Sequence, residues 1–146
     1  MRTTPTLPKN NVAVQYAVPR RGVPGAAALR AWARAAGASA ITLRIVGASE
    51  GRRLNRQYRR KNYATNVLSF SYGNVRGDVV LCHPVIVREA RAQRKSLRAH
   101  YAHMVVHGVL HLRGHAHDDK ASARRMEARE IRVLARFGFA DPYTIK

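Results

Sequence analysis

The chain has 146 residues, 46% of them apolar, which is typical of one folded domain and excludes a disordered chain. Its 27 lysines and arginines outnumber 8 acidic residues, and the net charge of +19 predicts a polyanionic partner, with nucleic acid ahead of an anionic membrane surface. The single cysteine, Cys82, excludes an intrachain disulfide. Because no apolar run has the length of a transmembrane helix or a secretory signal, we expect a cytoplasmic protein without a membrane partner.

Apolar periodicity predicts strands and helices that are interleaved in the first part of the chain, and two helices that close it. The predicted strands are residues 11–18, 40–46, 67–72 and 79–82. The predicted helices are residues 25–36, 50–59, 84–95 and 96–113, and a last helix that begins after Asp118 or Asp119 and ends at Gly138. Residues 1–10 are polar and contain proline, so we expect a flexible lead-in. The pattern predicts an α+β fold, with residues 1–146 in a single domain and helices packed on a mixed sheet of about four strands.

Local signals predict how several of these elements begin and where Cys82 lies. Ser49 and Ser96 are predicted N-caps of the second and fourth helices, because their hydroxyls can accept a hydrogen bond from a free backbone N–H. Pro84 suits the first turn of the third helix. Cys82 follows three apolar residues, so we expect a core side chain rather than a nucleophile.

The most specific chemistry lies in the histidine segment, residues 107–117. His107 and His111 are four residues apart, so their imidazoles share one face of a helix. Gly114 favours the left-handed turn that ends a helix, after which His117 can return to the same point. Three imidazoles with one open position are typical of catalytic zinc. We therefore predict one Zn²⁺ per chain, on a central helix and the turn that follows it.

Other uses of the histidine segment are possible on residue types alone. The spacing His-x-x-x-His-x-x-Gly-x-x-His is that of the metzincin proteases, but Gly108 replaces their general-base glutamate, which argues against a peptidase. A structural zinc site normally has four protein ligands, often cysteines, and this chain has one thiol. Imidazole ligands also suit nickel, copper and iron.

The remaining histidines and Asp78 have less specific interpretations. His115 is either a fourth ligand or an exposed side chain. His103, one turn before His107, is interpreted as a hydrogen-bonded pocket residue, with a proton-shuttle role left open. His83 and His100 are expected to be ordinary surface residues. Asp78 is either a turn residue or a carboxylate that supports the site.

With the histidine segment and four further segments together, the sequence resembles the YbeY endoribonucleases. The similar segments are residues 54–59, 65–70, 77–80, 103–117 and 138–143. The resemblance extends over residues 49–143, whereas residues 1–46 match only in general pattern. Two positions depart from it. Asn66 stands where the family usually has Asp, and His115-Ala116 stands where it usually has Tyr-Asp, which removes a carboxylate beside the third histidine.

The resemblance implies an endoribonuclease that cuts single-stranded RNA at a zinc site. Its implied role is maturation of the 3′ end of 16S ribosomal RNA and ribosome quality control. The implied zinc ligands are His107, His111 and His117, and Arg59 is the implied catalytic arginine. The implied partners are ribosomal RNA and the small ribosomal subunit, with ribosomal proteins and assembly GTPases as further candidates.

Residues around Arg59 extend this hypothesis. Arg56, Arg60 and Lys61 are predicted to bind RNA, because a helix and loop bearing these charges can follow a phosphate backbone. Asn66, Ser69 and His103 are predicted pocket residues. Since no carboxylate stands where a general base is expected, water and the RNA 2′-hydroxyl both remain candidate nucleophiles. The alternative functions are a non-catalytic, zinc-stabilised ribosome assembly factor and a metallohydrolase acting on another substrate.

Overall fold

The computed structural model describes residues 11–73, 76–115 and 118–144, which form one four-stranded sheet and five helices. The strands are β1 (Val12–Tyr16), β2 (Ile41–Val46), β3 (Val67–Gly73) and β4 (Arg76–Cys82). The helices are α1 (Ala26–Ala35), α2 (Ala48–Arg59), α3 (His83–Ala92), α4 (Leu97–Leu112) and α5 (Lys120–Ala135). The predicted α+β fold is confirmed. The expected flexible lead-in, residues 1–10, lies outside the described residues, and the domain assignment over residues 1–146 stays a prediction.

The sheet is mixed, with strand order β1-β2-β4-β3. β1 pairs with β2 and β2 with β4 in parallel, and α1 connects the first parallel pair. β3 runs antiparallel to β4, with Val67 opposite Leu81 and Ser71 opposite Gly77. β3 is therefore an edge strand of the sheet and pairs with β4 on one side.

Both faces of the sheet are covered by helices. On one face, the side chains of β2 and β4, among them Leu43 and Val79, share a core with α1, α4 and α5. On the other face, Leu54 of α2 packs with Leu68 of β3 and Val80 of β4. The alternation of β3 side chains between these two cores follows from the two-residue period of a strand.

Helix α4 lies at the centre of the larger core. All of its residues from His100 to Leu112 are buried or half-buried, as expected of a helix that packs against a sheet and other helices at once. At Gly108 the helix approaches the sheet so closely that an added Cβ would lie 2.6 Å from Val79 Cγ1 and 3.1 Å from Val67 Cγ2. Glycine at this position is therefore required by packing.

Most predicted helix starts are correct, and the differences have local causes. Ser96 caps α4 by accepting from Ala99 N, and Asp119, rather than Asp118, caps α5. Helix α2 begins earlier than predicted, because Gly47 and not Ser49 is its N-cap. Helix α3 ends at Ala92 instead of 95, and Arg94 then takes a left-handed φ of 56°. Helix α5 ends at Ala135, before the expected Gly138.

Two further findings bear on the sequence predictions. Cys82 is buried in the smaller core, as expected. Within the described residues, no helix combines the length and the apolar character needed to cross a membrane.

Candidate metal centre and cleft

Helix α4 presents a stripe of four histidines at steps of three and four residues. The rings of His103 and His107 lie 6.2 Å apart, and those of His107 and His111 lie 4.7 Å apart. The Nε2 atoms of His107 and His111 converge to 3.2 Å. One turn of helix therefore brings two imidazole nitrogens to the same point, as the spacing predicts.

A buried carboxylate from α5 orients two of these histidines. Glu130 is 0% exposed; its Oε2 lies 2.6 Å from His107 Nδ1, and its Oε1 lies 2.8 Å from His103 Nε2. Tyr143, in the segment after α5, donates its hydroxyl to the same carboxylate. Burial alone would raise the pKa of the Glu130 carboxyl, but hydrogen bonds from His103, His107 and Tyr143 outweigh burial and lower the pKa from 4.5 to about 2.

Sequence reasoning missed Glu130, although a signal was present. Met126, Glu130, Val133 and Leu134 follow the spacing of one helical face, and three of them are apolar. A carboxylate on an otherwise apolar face has to find buried hydrogen-bond donors, because burying an unpaired charge is costly. A glutamate at position 130 therefore indicated buried hydrogen-bond donors beneath α5, although the sequence did not identify the donor residues.

The His107 and His111 pair fits a transition-metal ion. Because Glu130 accepts a hydrogen bond from Nδ1 of His107, the lone pair of the neutral ring lies on Nε2, the atom that faces His111 Nε2. Two Zn–N bonds of ~2.0–2.1 Å at a tetrahedral angle would separate their nitrogens by ~3.3 Å. The 3.2 Å between the two Nε2 atoms agrees with that separation. The third predicted ligand, His117, and the neighbouring Ala116 lie outside the described residues.

A second ligand set overlaps this pair. Atoms of His103, His107 and Glu130 lie within 4.8 Å of one another, so this cluster could hold a metal ion. Hydrogen bonds of 2.6 and 2.8 Å already join the two imidazoles to Glu130. The carboxylate therefore acts as a hydrogen-bond acceptor that orients the imidazoles. The His107 Nε2 side is therefore the better position for an ion.

The turn after α4 has the predicted form. Gly114 adopts φ 91°, in the left-handed region, and its N–H donates to His111 O. His115 follows half-buried, with its backbone N–H donating to Leu110 O. Burial and nearby arginines lower the pKa of its imidazole, which favours the neutral form.

The histidine pair opens onto a cleft of about 850 Å³ that follows the edge strand β3. The residues that line it are Tyr58, Arg59, Thr65, Asn66, Val67, Leu68, Ser69, Phe70, Ser71, Tyr72, His107, His111 and Leu112. The predicted residues Arg59, Asn66 and Ser69 thus lie along one cleft with His107 and His111. His103 is buried one turn deeper, against Glu130 and Tyr143.

Asn66 and Ser69 hold the walls of the cleft together. Ser69 Oγ donates to Gly108 O at 2.8 Å, which ties β3 to α4. Asn66 Nδ2 lies 3.1 and 3.2 Å from the two carboxylate oxygens of Glu89 on α3. An aspartate at position 66 would set two carboxylates against each other, so the asparagine suits its partner in this chain.

The expectation that His100 and His83 are ordinary surface residues is wrong. His100 is 2% exposed and its Nε2 lies 2.8 Å from Glu89 Oε1. Burial lowers the pKa of its imidazole, although Glu89 opposes this. His83 is half-buried, with Nδ1 2.6 Å from the buried Tyr101 hydroxyl. Packing of α3 against α4 covers both residues, and no local sequence signal shows this.

The predicted RNA-binding cations are exposed at the end of α2 and after it. Arg56 lines a groove of about 410 Å³ with Arg52 and Arg53 on the outer side of α2. Arg60 has a φ of 58°, which turns the chain out of the helix, and Lys61 follows it. Asp78, whose role the sequence left open, is a buried residue of β4 that accepts a hydrogen bond from Tyr72.

The chain matches known proteins over most of its length. A family model described as endoribonuclease YbeY matches residues 26–138. A protein named endoribonuclease YbeY from Thiobacillus denitrificans is 50% identical over 143 residues, which cover 93% of this chain and 97% of that protein. A protein of the same name from Cupriavidus metallidurans is 51% identical over 131 residues, or 85% of this chain. The chain spans only about 65–66% of the length of that protein and its Cupriavidus counterparts.

A solved structure has the same fold. The solution structure of TM1509 from Thermotoga maritima superposes with a TM-score of 0.51 over 92% of this chain and 99% of that one, at 20% identity. The resemblance proposed from the sequence is therefore confirmed. By its matches to the family model and to relatives about half identical to it, this chain belongs to the YbeY family.

Proposed function

We propose that the protein is an endoribonuclease that hydrolyses phosphodiester bonds of single-stranded RNA during ribosomal RNA processing. One observation carries this proposal: the cleft brings Arg59 together with a converging histidine pair, and none of its described lining residues is acidic. A polyanionic substrate can enter such a cleft without repulsion. The names of the relatives and the net charge of +19 support the same substrate class.

The cofactor in this proposal is one Zn²⁺ held by His107, His111 and His117. The 3.2 Å separation of the His107 and His111 Nε2 atoms supports the first two ligands. When bound, zinc supplies Lewis acidity toward the phosphodiester and makes water more acidic. Glu130 accepts the hydrogen bond of the His107 Nδ1 proton, so that the lone pair of the neutral ring lies on Nε2, on the side of His111.

Arg59 is the residue proposed to contact the scissile phosphate. Its guanidinium is planar and permanently charged, and it can donate two parallel hydrogen bonds to phosphate oxygens. As negative charge develops on the phosphate, these bonds strengthen and lower the barrier. Arg56, Arg60 and Lys61 would bind flanking phosphates outside the cleft.

The partners in this proposal are ribosomal RNA and the small ribosomal subunit, with ribosomal proteins and assembly GTPases as further candidates in the cytoplasm. A peptidase on the same scaffold is disfavoured by Gly108, because packing against Val79 leaves no space there for the general-base glutamate. A non-catalytic assembly factor would bind ribosomal RNA with zinc holding the fold, and the experiment below distinguishes it.

The test is His111→Ala, with His83→Ala as the control because His83 lies outside the cleft. Purified proteins without a histidine tag are analysed for metal content and incubated with labelled structured RNA and with casein, with and without chelator. We expect His111→Ala to lose both bound zinc and RNA cleavage, whereas His83→Ala keeps both. Full RNA cleavage by metal-free His111→Ala would contradict the proposal, and an unmodified protein that cuts no RNA would favour the assembly factor.

A further inference from the structure

Two tyrosines expose their rings on the wall of the cleft. Tyr58, near the end of α2, is 41% exposed, and Tyr72, on β3, is 56% exposed. Both line the same cleft as Arg59, His107 and His111. Exposed aromatic rings that share a concave surface with a cationic side chain are typical of a ligand-binding groove.

The packing around both rings holds them in place. Tyr58 packs edge-on against Phe70, with ring centroids 5.1 Å apart and an interplanar angle of 74°. Tyr72 is two residues after Phe70, at an irregularity in the pairing of β3 with β4 between Ser71 and Gly73. The Tyr72 hydroxyl donates to the buried carboxylate of Asp78 on the neighbouring strand β4. Tyr58, Phe70 and Tyr72 all line the cleft and are here called the aromatic shelf. Packing against Phe70 orders the ring of Tyr58, and the hydrogen bond to Asp78 orders that of Tyr72, before any ligand binds.

The surroundings of the shelf indicate which ligand it suits. Arg59 follows Tyr58 directly, and the described residues that line the cleft include no carboxylate, so an anionic group is favoured next to the rings. Burial and the hydrogen bond to Asp78 raise the pKa of the Tyr72 phenol to about 12, so this ring carries no charge near neutral pH. A flat apolar group joined to a phosphate satisfies both features.

We propose that the aromatic shelf is a nucleobase subsite, in which bases of single-stranded RNA stack on Tyr58 and Tyr72 beside the phosphate bound by Arg59. This inference rests on the proposed function and adds the residues that hold the bases. Stacking on an aromatic ring tolerates every base, because every base has a π-face. A base inside a duplex is already stacked and paired, so the shelf accepts unpaired RNA.

The test is the affinity of the 146-residue chain for two fluorescein-labelled oligomers, measured by fluorescence anisotropy in EDTA so that RNA is not cut. One oligomer is an adenosine octamer, and the other has the same eight ribose-phosphates without bases. We expect the protein to bind the adenosine octamer more tightly. Tyr58→Leu and Tyr72→Leu should each weaken adenosine octamer binding by about fivefold to a hundredfold, as loss of one base–aromatic stack would, and leave abasic binding unchanged.

Matched variants separate stacking from other effects. Tyr58→Phe keeps the ring and should bind like the unmodified protein. Tyr63→Leu removes a tyrosine that is 57% exposed but does not line the cleft, and should also leave both affinities unchanged. Circular dichroism verifies that each variant is folded.

The outcomes also distinguish the shelf from the proposed function. Equal affinity of the unmodified protein for the two octamers, or full affinity of folded Tyr58→Leu and Tyr72→Leu, would overturn the subsite while RNA cleavage still supports the nuclease. A protein that neither binds these oligomers nor cuts RNA would overturn both proposals.

Discussion

At the scale of single residues, Glu130 links the metal-ligand histidines proposed here to the end of the chain. Its carboxylate bonds His103, His107 and Tyr143 at once, and it is buried with all of these partners around it. A buried carboxylate that accepts several hydrogen bonds holds its donors in one arrangement. Glu130 thereby holds the imidazole of His107 in one orientation, which the proposed metal site requires.

Replacing Glu130 with Gln tests this role. The amide keeps the shape of the side chain but has one oxygen instead of two, so it cannot accept from both His103 and His107. We expect zinc affinity to fall by about tenfold to a hundredfold, which competition with a chelator measures. Glu127→Gln, one turn earlier on α5, is the control and should leave affinity unchanged. Undiminished zinc affinity in Glu130→Gln would show that the carboxylate does not orient the ligand.

At the scale of elements, the close approach of α4 to the sheet positions His107 and His111 at the cleft. Gly108 lets the helix lie against Val79 and Val67, and the Ser69 hydroxyl bonds the carbonyl of Gly108. The absence of a side chain at Gly108 therefore sets the distance between α4 and β3.

Gly108→Ala measures how tight this contact is. Alanine would favour the helix by ~1 kcal/mol, but overpacking against a branched valine costs ~1–3 kcal/mol. We expect a net loss in the free energy of unfolding, measured by urea denaturation. Val79→Ala removes the atom that the new Cβ would meet, so the double variant should be more stable than the sum of the two single effects. Strict additivity would mean that α4 moves away from the sheet without cost.

At the scale of the whole molecule, the net charge of +19 should make the RNA binding of the proposed function depend on salt. Arg56, Arg60 and Lys61 are exposed on α2 and directly after it, within three residues of Arg59, which lines the cleft. Arg34 is exposed on α1, which packs on the edge strand β1 at the opposite side of the sheet. Position, rather than charge alone, should therefore decide which cations contact RNA.

The salt dependence of RNA binding tests these cations. Replacing any one of Arg56, Arg60 and Lys61 with Gln should reduce the slope of log K against log salt by about 0.7, the value for one phosphate contact on a single strand. Arg34→Gln changes the net charge equally and should leave the slope unchanged. Anisotropy titrations of labelled single-stranded RNA at several salt concentrations give the slopes. Equal slopes for Arg34→Gln and the other three variants would mean that only overall charge matters.

The sequence by itself determined the α+β order of elements and the placement of His107 and His111 on one helical face. These features depend on periodicity and spacing within a few turns of chain, which local geometry translates directly into structure. The caps at Ser96 and Asp119 and the turn at Gly114 were predictable for the same reason.

Only the tertiary structure decided which distant residues meet. Glu130 reaches His107 from 23 positions away because α5 packs on α4, and His100 is buried because Glu89 of α3 lies against it. The space at Gly108 and the packing of Tyr58 on Phe70 likewise depend on how a helix lies on the sheet. Apolar patterning indicates that a face is buried, but the partner it meets is set by packing of elements far apart in the chain.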